Sequence, residues 1–89
     1  MTPASMNTVT DNTDRSQYEL DVDGQTVFAR YRRQDGQTLI LHVEAPVNLR
    51  GSGAADRLMR GIVTLAAEQG TSLVPLCSYA RAWMARHPS

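Results

Sequence analysis

Arg50-Gly51-Ser52-Gly53-Ala54-Ala55-Asp56-Arg57-Leu58-Met59-Arg60 is the stretch on which the fold turns. After its two glycines, Ala55, Leu58, Met59, Ile62, Val63, Leu65 and Ala66 recur at helical spacing. Asp56, Arg57, Arg60, Thr64 and Glu68 take the other face, and Asp56 with Arg60 forms a favourable i,i+4 pair. Gly70 stands where a glycine ends a helix. The spacing therefore predicts a helix from about Gly53 to Gln69. Its first amides have no intrahelical acceptor, and the aligned peptide dipoles make that end partly positive. Glycines allow an anion to approach the backbone closely, while Arg50 adds a cation and Ser52 a hydroxyl. No lysine follows Gly53, so this is not a nucleoside-triphosphatase loop, nor is it GxGxxG. A glycine turn that starts a helix and binds nothing fits the same residues.

Upstream, Tyr18, Leu20 and Val22 alternate with Glu19, Asp21 and Asp23, the pattern of a half-buried strand. Asp23-Gly24 marks a tight turn. A second strand sets Val27, Ala29 and Tyr31 against Thr26, Phe28, Arg30 and Arg32, and Asp35-Gly36 marks a second hairpin. The strand Thr38 to Glu44 is more continuously apolar, which predicts an internal place in the sheet. Pro46 ends it. Downstream, Thr71 to Leu76 reads as a short strand. Ser78 to Arg86 reads as a short amphipathic helix with Ala80, Trp83, Met84 and His87 on one stripe, stopped by Pro88. The expected order is β-β-β-α-β-α, an α+β fold with helices packed on a mostly antiparallel sheet.

At 89 residues, 42% of them hydrophobic, the chain predicts one domain, with residues 17–89 folded and residues 1–16 a disordered tail. Nine basic and nine acidic residues give zero net charge, which argues against nucleic acid or an anionic membrane as partner. One cysteine, Cys77, excludes an internal disulfide and fits a reducing compartment. The start MTPASMNTVTDN lacks a signal-peptide pattern, and no apolar run is long enough to span a bilayer, so the expected location is cytoplasmic. An exposed edge strand allows a monomer or a weak homodimer.

The surroundings of the glycine stretch carry a resemblance. Arg50-Gly51-Ser52-Gly53-Ala54-Ala55 fits [RQ]-x-x-G-x-[GA], the acetyl-CoA signature of the GNAT superfamily of N-acetyltransferases. His42-Val43-Glu44-Ala45-Pro46, Val74-Pro75-Leu76-Cys77-Ser78-Tyr79-Ala80 and His87-Pro88 are similar to small YjdJ-type members of that superfamily. The resemblance implies acetyl-CoA as co-substrate, with no metal, and an amine as acceptor. It implies that amides from Leu49 to Ala54, with Arg50, Gly51, Ser52 and Gly53, bind the diphosphate beside Ala55. It also implies that the strand edge with Val43, Ala45 and Val47 pairs with the pantetheine arm, and that this strand and Thr71–Leu76 splay apart with the acetyl group in the gap. The helical insertion of larger members, which helps bind the acceptor, is absent here, its place taken by Asp23-Gly24. A non-catalytic acyl-CoA-binding or partner-binding module is the alternative reading.

Acetyl transfer to an amine needs a base and donors for the oxyanion. Cys77, just before the last helix, either carries the acetyl group covalently or lines the site near the coenzyme sulfur; a small buried strand-end residue is the bland reading. Glu44 is a candidate base, directly or through water, although outward strand carboxylates are commonly just solvated. His42 shares a sheet face with Glu44 and is a candidate proton relay or a packed bystander. Tyr79 is a candidate donor to the departing thiolate or a packing residue. Arg30, Arg32 and Arg33 meet a coenzyme phosphate or form a solvated face.

Overall fold

A computed structural model describes residues 8–87. Five strands form one sheet in the order β1 (Thr10–Asn12), β2 (Gln17–Val22), β3 (Gln25–Gln34), β4 (Gln37–Glu44) and β5 (Ser72–Pro75). Helices α1 (Ala54–Gln69) and α2 (Ser78–Arg86) flank β5 in sequence. Neighbouring strands are antiparallel except β4 and β5, which run parallel. Among the described residues no helix is long and apolar enough to cross a membrane.

The hairpins form where the Asp-Gly pairs stand. Asp23 and Gly24 have φ of 52° and 80°, and Asp35 and Gly36 have 52° and 76°. Positive φ at both central residues is the type I′ requirement, whose twist matches that of the flanking strands. Alternation then sorts the sheet faces. Tyr18, Leu20, Val27, Ala29, Tyr31 and Ile40 turn inward and pack with Leu58, Met59, Ile62, Ala80 and Trp83. Each fully buried Leu or Ile contributes about 1.5–3 kcal/mol of transfer free energy. Phe28, Leu39 and Val74 stay partly exposed on the opposite face, which no helix covers among the described residues.

One expectation is corrected. Order begins within the stretch read as tail: Thr10–Asn12 add a strand to β2, and Val9 is 6% exposed. Three polar residues are too few to show a period, and what holds them is tertiary. Val9 lies against Gly61 of α1, where a Cβ would stand 2.2 Å from Val9 Cγ2. Asp11 accepts from Tyr31 Oη at 2.6 Å, from Arg33 Nη2 at 3.0 Å and from Gln69 Nε2 at 2.8 Å. Arg33 Nη2 also donates to Tyr18 Oη and Gln69 Oε1, at 2.8 and 2.9 Å, joining β1, β2, β3 and the end of α1. The tail expected over residues 1–7 and the stop expected at Pro88 lie outside the described residues.

Two predictions follow from this packing. Gly61→Ala removes a helix-destabilising glycine, ordinarily a gain of up to about 1 kcal/mol. Here the methyl displaces Val9, so thermal unfolding shows a net loss of about 1–3 kcal/mol; a gain would contradict the contact. The second concerns pH. Burial alone would raise the Asp11 carboxyl, but hydrogen bonds from Tyr31, Arg33 and Gln69 hold it below the ordinary value. Burial, then the Asp11 hydrogen bond, pushes the Tyr31 phenol up to about 12. The Asp11 contribution is thus present above its unfolded pKa of about 4 and lost as pH falls below it. The Tyr31 contribution is present below its ordinary value of 10.0 and lost as pH rises toward about 12. The melting midpoint against pH therefore falls at both ends, with a shallower acid limb in Asp11→Asn and a shallower alkaline limb in Tyr31→Phe. Limbs unchanged in these variants would contradict the assignment.

Candidate active site

The pairing of β4 with β5 stops at Ile40 opposite Pro75. Leu76, like Ser72, turns its amide toward β4, so Pro75 between them faces the sheet's outer edge, where a missing N–H leaves nothing unpaired. The next two amides, of Leu76 and Cys77, converge on the Ile40 carbonyl at 2.9 and 3.2 Å. Cys77 then caps α2, its Sγ accepting from the Ala80 amide at 3.4 Å, and the chain turns away. Strand β4 continues to Glu44 without β5 beside it.

The exposed edge can be read from register. Tyr31 N–H donates to the Ser16 carbonyl at 2.9 Å, so odd residues of β3 turn their backbone groups toward β2. Val43 is paired with Ala29, and so turns its N–H and C=O away from β3, toward the side β5 has left. A bulge shifts the phase along β4: Ile40 turns its carbonyl toward β5, but Arg30 pairs with His42 and Tyr31 with Ile40, leaving Leu41 as the extra residue, so beyond it the odd residue Val43 takes that side. Past the bulge Val43 points inward to the core, while His42 and Glu44 share the outer face.

Next to this edge, a 3₁₀ turn over Val47–Leu49 leads into the glycine loop. Gly51 and Gly53 have φ of 83° and 90°, and open space surrounds both Cα atoms, so backbone conformation is what requires glycine there. Ser52 Oγ donates to the Leu49 carbonyl and accepts from the Ala54 amide at 3.3 Å. The amides of Gly51, Gly53, Ala55 and Asp56 have no hydrogen-bond acceptor among the described residues. They form a cluster of donors at the positive end of α1, which suits an anion.

A cavity of about 630 Å³ joins the two features. Val43, Ala45, Leu49, Arg50, Gly51, Gly53, Ala54 and Ala55 line it, as do His42, Glu44 and Tyr79. His42 Nε2 and Glu44 Oε1 are 2.9 Å apart, with both side chains more than half exposed. Burial, reinforced by the Asp56 carboxylate, raises the Tyr79 phenol, which stays protonated at neutral pH. Arg50 donates from Nε to the Ala45 carbonyl at 3.3 Å.

Other expected residues stand elsewhere. Val47 is 76% exposed and does not line the cavity, because Pro46 ends the extended segment and the 3₁₀ turn rotates Val47 outward. Ser52 spends its hydroxyl on the loop. Cys77 is packed against the core with its sulfur capping α2, and is not among the cavity-lining residues. Arg30, Arg32 and Arg33 lie away from the cavity, Arg33 in the Asp11 network. Asp56 was missed. It lines the cavity and accepts from Trp83 Nε1 and Arg60 Nε, each at 2.8 Å, tying α2 to α1. Hydrogen bonds from Arg60 and then Trp83 hold its carboxyl below the ordinary range. The signal was a Trp on the buried stripe, whose N–H needs an acceptor.

No curated protein matches the chain. Residues 17–89 match the model of a GCN5-related N-acetyl-transferase family, a span running from the first residue of β2 through both cavity-forming elements. The chain belongs to the GCN5-related N-acetyltransferase family.

Proposed function

We propose that the protein transfers the acetyl group of acetyl-CoA to an amine by direct attack, without an acetyl-cysteine intermediate. The observation that carries this reading is the meeting of two unused donor sets in one cavity: the Gly51–Asp56 amides and the open β4 edge at Val43. The first set suits a diphosphate. The second suits an amide-bearing arm lying beside β4 as a strand would, which brings the thioester to the end of the β4–β5 ladder.

Glu44 with His42 then accepts a proton from the acceptor ammonium, leaving a neutral amine. The amine attacks the thioester carbon, and backbone N–H groups at the open edge stabilise the oxyanion. The C–S bond breaks, and the thiolate takes a proton from Tyr79, which stands protonated at the cavity wall. Half-exposure of the His42–Glu44 pair also favours a second reading, coenzyme binding without transfer. Acetyl-CoA bound with no CoA released across a panel of amines would select it.

Calorimetry is expected to show acetyl-CoA binding that weakens at least about tenfold in Gly53→Val, since a β-branched residue at φ of 90° costs on the order of 1–3 kcal/mol. Absence of binding to the unaltered protein would end the coenzyme reading. Glu44→Gln is expected to lower kcat by about 10²–10⁴. Cys77→Ala, which leaves the cavity lining intact, retains most of it. The reverse ranking, with an acetyl group found on Cys77 by mass spectrometry, would favour covalent transfer.

A further inference from the structure

We infer that the acceptor is an acidic peptide segment, its carboxylates held by Arg15, Arg30 and Arg32 while its amine reaches His42 and Glu44. The inference rests on the transfer reading above for the position of the amine. A second groove, of about 570 Å³, lies on the sheet between the β1–β2 turn and β3, with Arg15, Arg30, Arg32 and Leu41 in its lining. Among the described residues none of these three guanidinium groups has a carboxylate partner. Arg30 Cζ stands 5.8 Å from the Phe28 ring centroid, Arg15 donates only its backbone amide, to Asn12 Oδ1 at 3.3 Å, and among the described residues neither the Arg15 nor the Arg32 guanidinium makes a hydrogen bond. The chain is neutral overall, and among the described residues none of its acids forms an ion pair with these three arginines. Asp11 is bound to Arg33, Glu44 pairs with His42, Glu19 accepts from the neutral amides of Asn12 and Gln17, and Asp14 makes no ion pair among the described residues. Arg30 and Arg32 thus face solvent on the sheet face that no helix covers among the described residues, with the exposed Arg15 in the turn beside them.

Register connects this groove to the proposed transfer point. Arg30 is the cross-strand partner of His42, and such pairs have Cβ atoms about 4.5–5.5 Å apart. Arg32 follows on the same face roughly 7 Å further along the strand. An extended peptide with its amine at His42 and Glu44 would set side chains one to three residues away over Arg30, Arg32 and Arg15. All nine cations of the chain are arginine, whose planar fork matches carboxylate oxygens in a way a lysine ammonium does not.

Two peptides test this, one with a single lysine flanked by aspartates and one with serines in their place. Fluorescence anisotropy reads their affinity, and acetyl-lysine detection reads transfer; with no lysine in the chain, that signal belongs to the peptide. The acidic peptide is expected to bind at least about tenfold more tightly than the serine peptide, equivalent to about 1.4 kcal/mol. That preference is expected to vanish in Arg30→Gln/Arg32→Gln and to persist in Arg57→Gln/Arg81→Gln, which removes the same charge elsewhere. Equal affinity for both peptides, or a preference surviving in Arg30→Gln/Arg32→Gln, overturns the inference. So does tighter binding of a single-stranded oligonucleotide than of the acidic peptide. Selective binding without acetyl-lysine would keep the groove and reject the transfer reading, whereas transfer without selectivity would do the opposite.

Discussion

The Ile40 carbonyl is where the site begins. It accepts both the Leu76 and Cys77 amides, and so closes the β4–β5 ladder at the residue opposite Pro75. Parallel strands normally continue to pair while both remain extended. Here the Leu76 and Cys77 amides crowd onto one acceptor, and the cap of α2 carries the chain off. Everything that distinguishes the cavity depends on that stop. The open edge of β4 exists because β5 has left, and the bulge at Leu41 sets which backbone groups the edge presents.

A second constraint keeps the gap in shape. Asp56, in the first turn of α1, accepts from Trp83 of α2, so the helix whose first amides are left unpaired is tied to the helix that bounds the cavity. An acid at this position favours the positive end of the helix, and Arg60 compensates its charge beside a site suited to phosphate. At the far end of the sheet, Arg33 gathers Asp11, Tyr18 and Gln69. One end of the molecule is locked by side-chain hydrogen bonds, and the other carries unused backbone donors. Separating rigidity from availability in this way lets a chain of 89 residues keep an open site.

Much of this was legible in the residues. The Asp-Gly pairs gave both hairpins, because few other pairs hold positive φ twice in succession. Leu58, Ile62 and Ala66 marked the buried face of α1, and period two put His42 beside Glu44. What could not be read had tertiary causes. Strand β1 is held by Arg33 and by the absence of a Cβ at Gly61, neither visible in a window of three polar residues. Val47 continued an apparent strand phase that the 3₁₀ turn breaks. Cys77 stands near the cavity in sequence, yet its sulfur faces the Ala80 amide, an orientation that local pattern does not specify. Asp56 read as an exposed helix acid because its second partner comes from 27 residues away.

The central claim is that one cavity unites an amide cluster and an open strand edge as a coenzyme site. Amide-resolved nuclear magnetic resonance during titration with CoA tests it most directly. The account predicts the largest shifts at the amides of Gly51, Gly53, Ala55 and Asp56, with Val43 shifting in parallel and Gly24 and Gly36 unmoved. Shifts that spare Val43 and the glycine loop, or that concentrate at the hairpin turns, would contradict it.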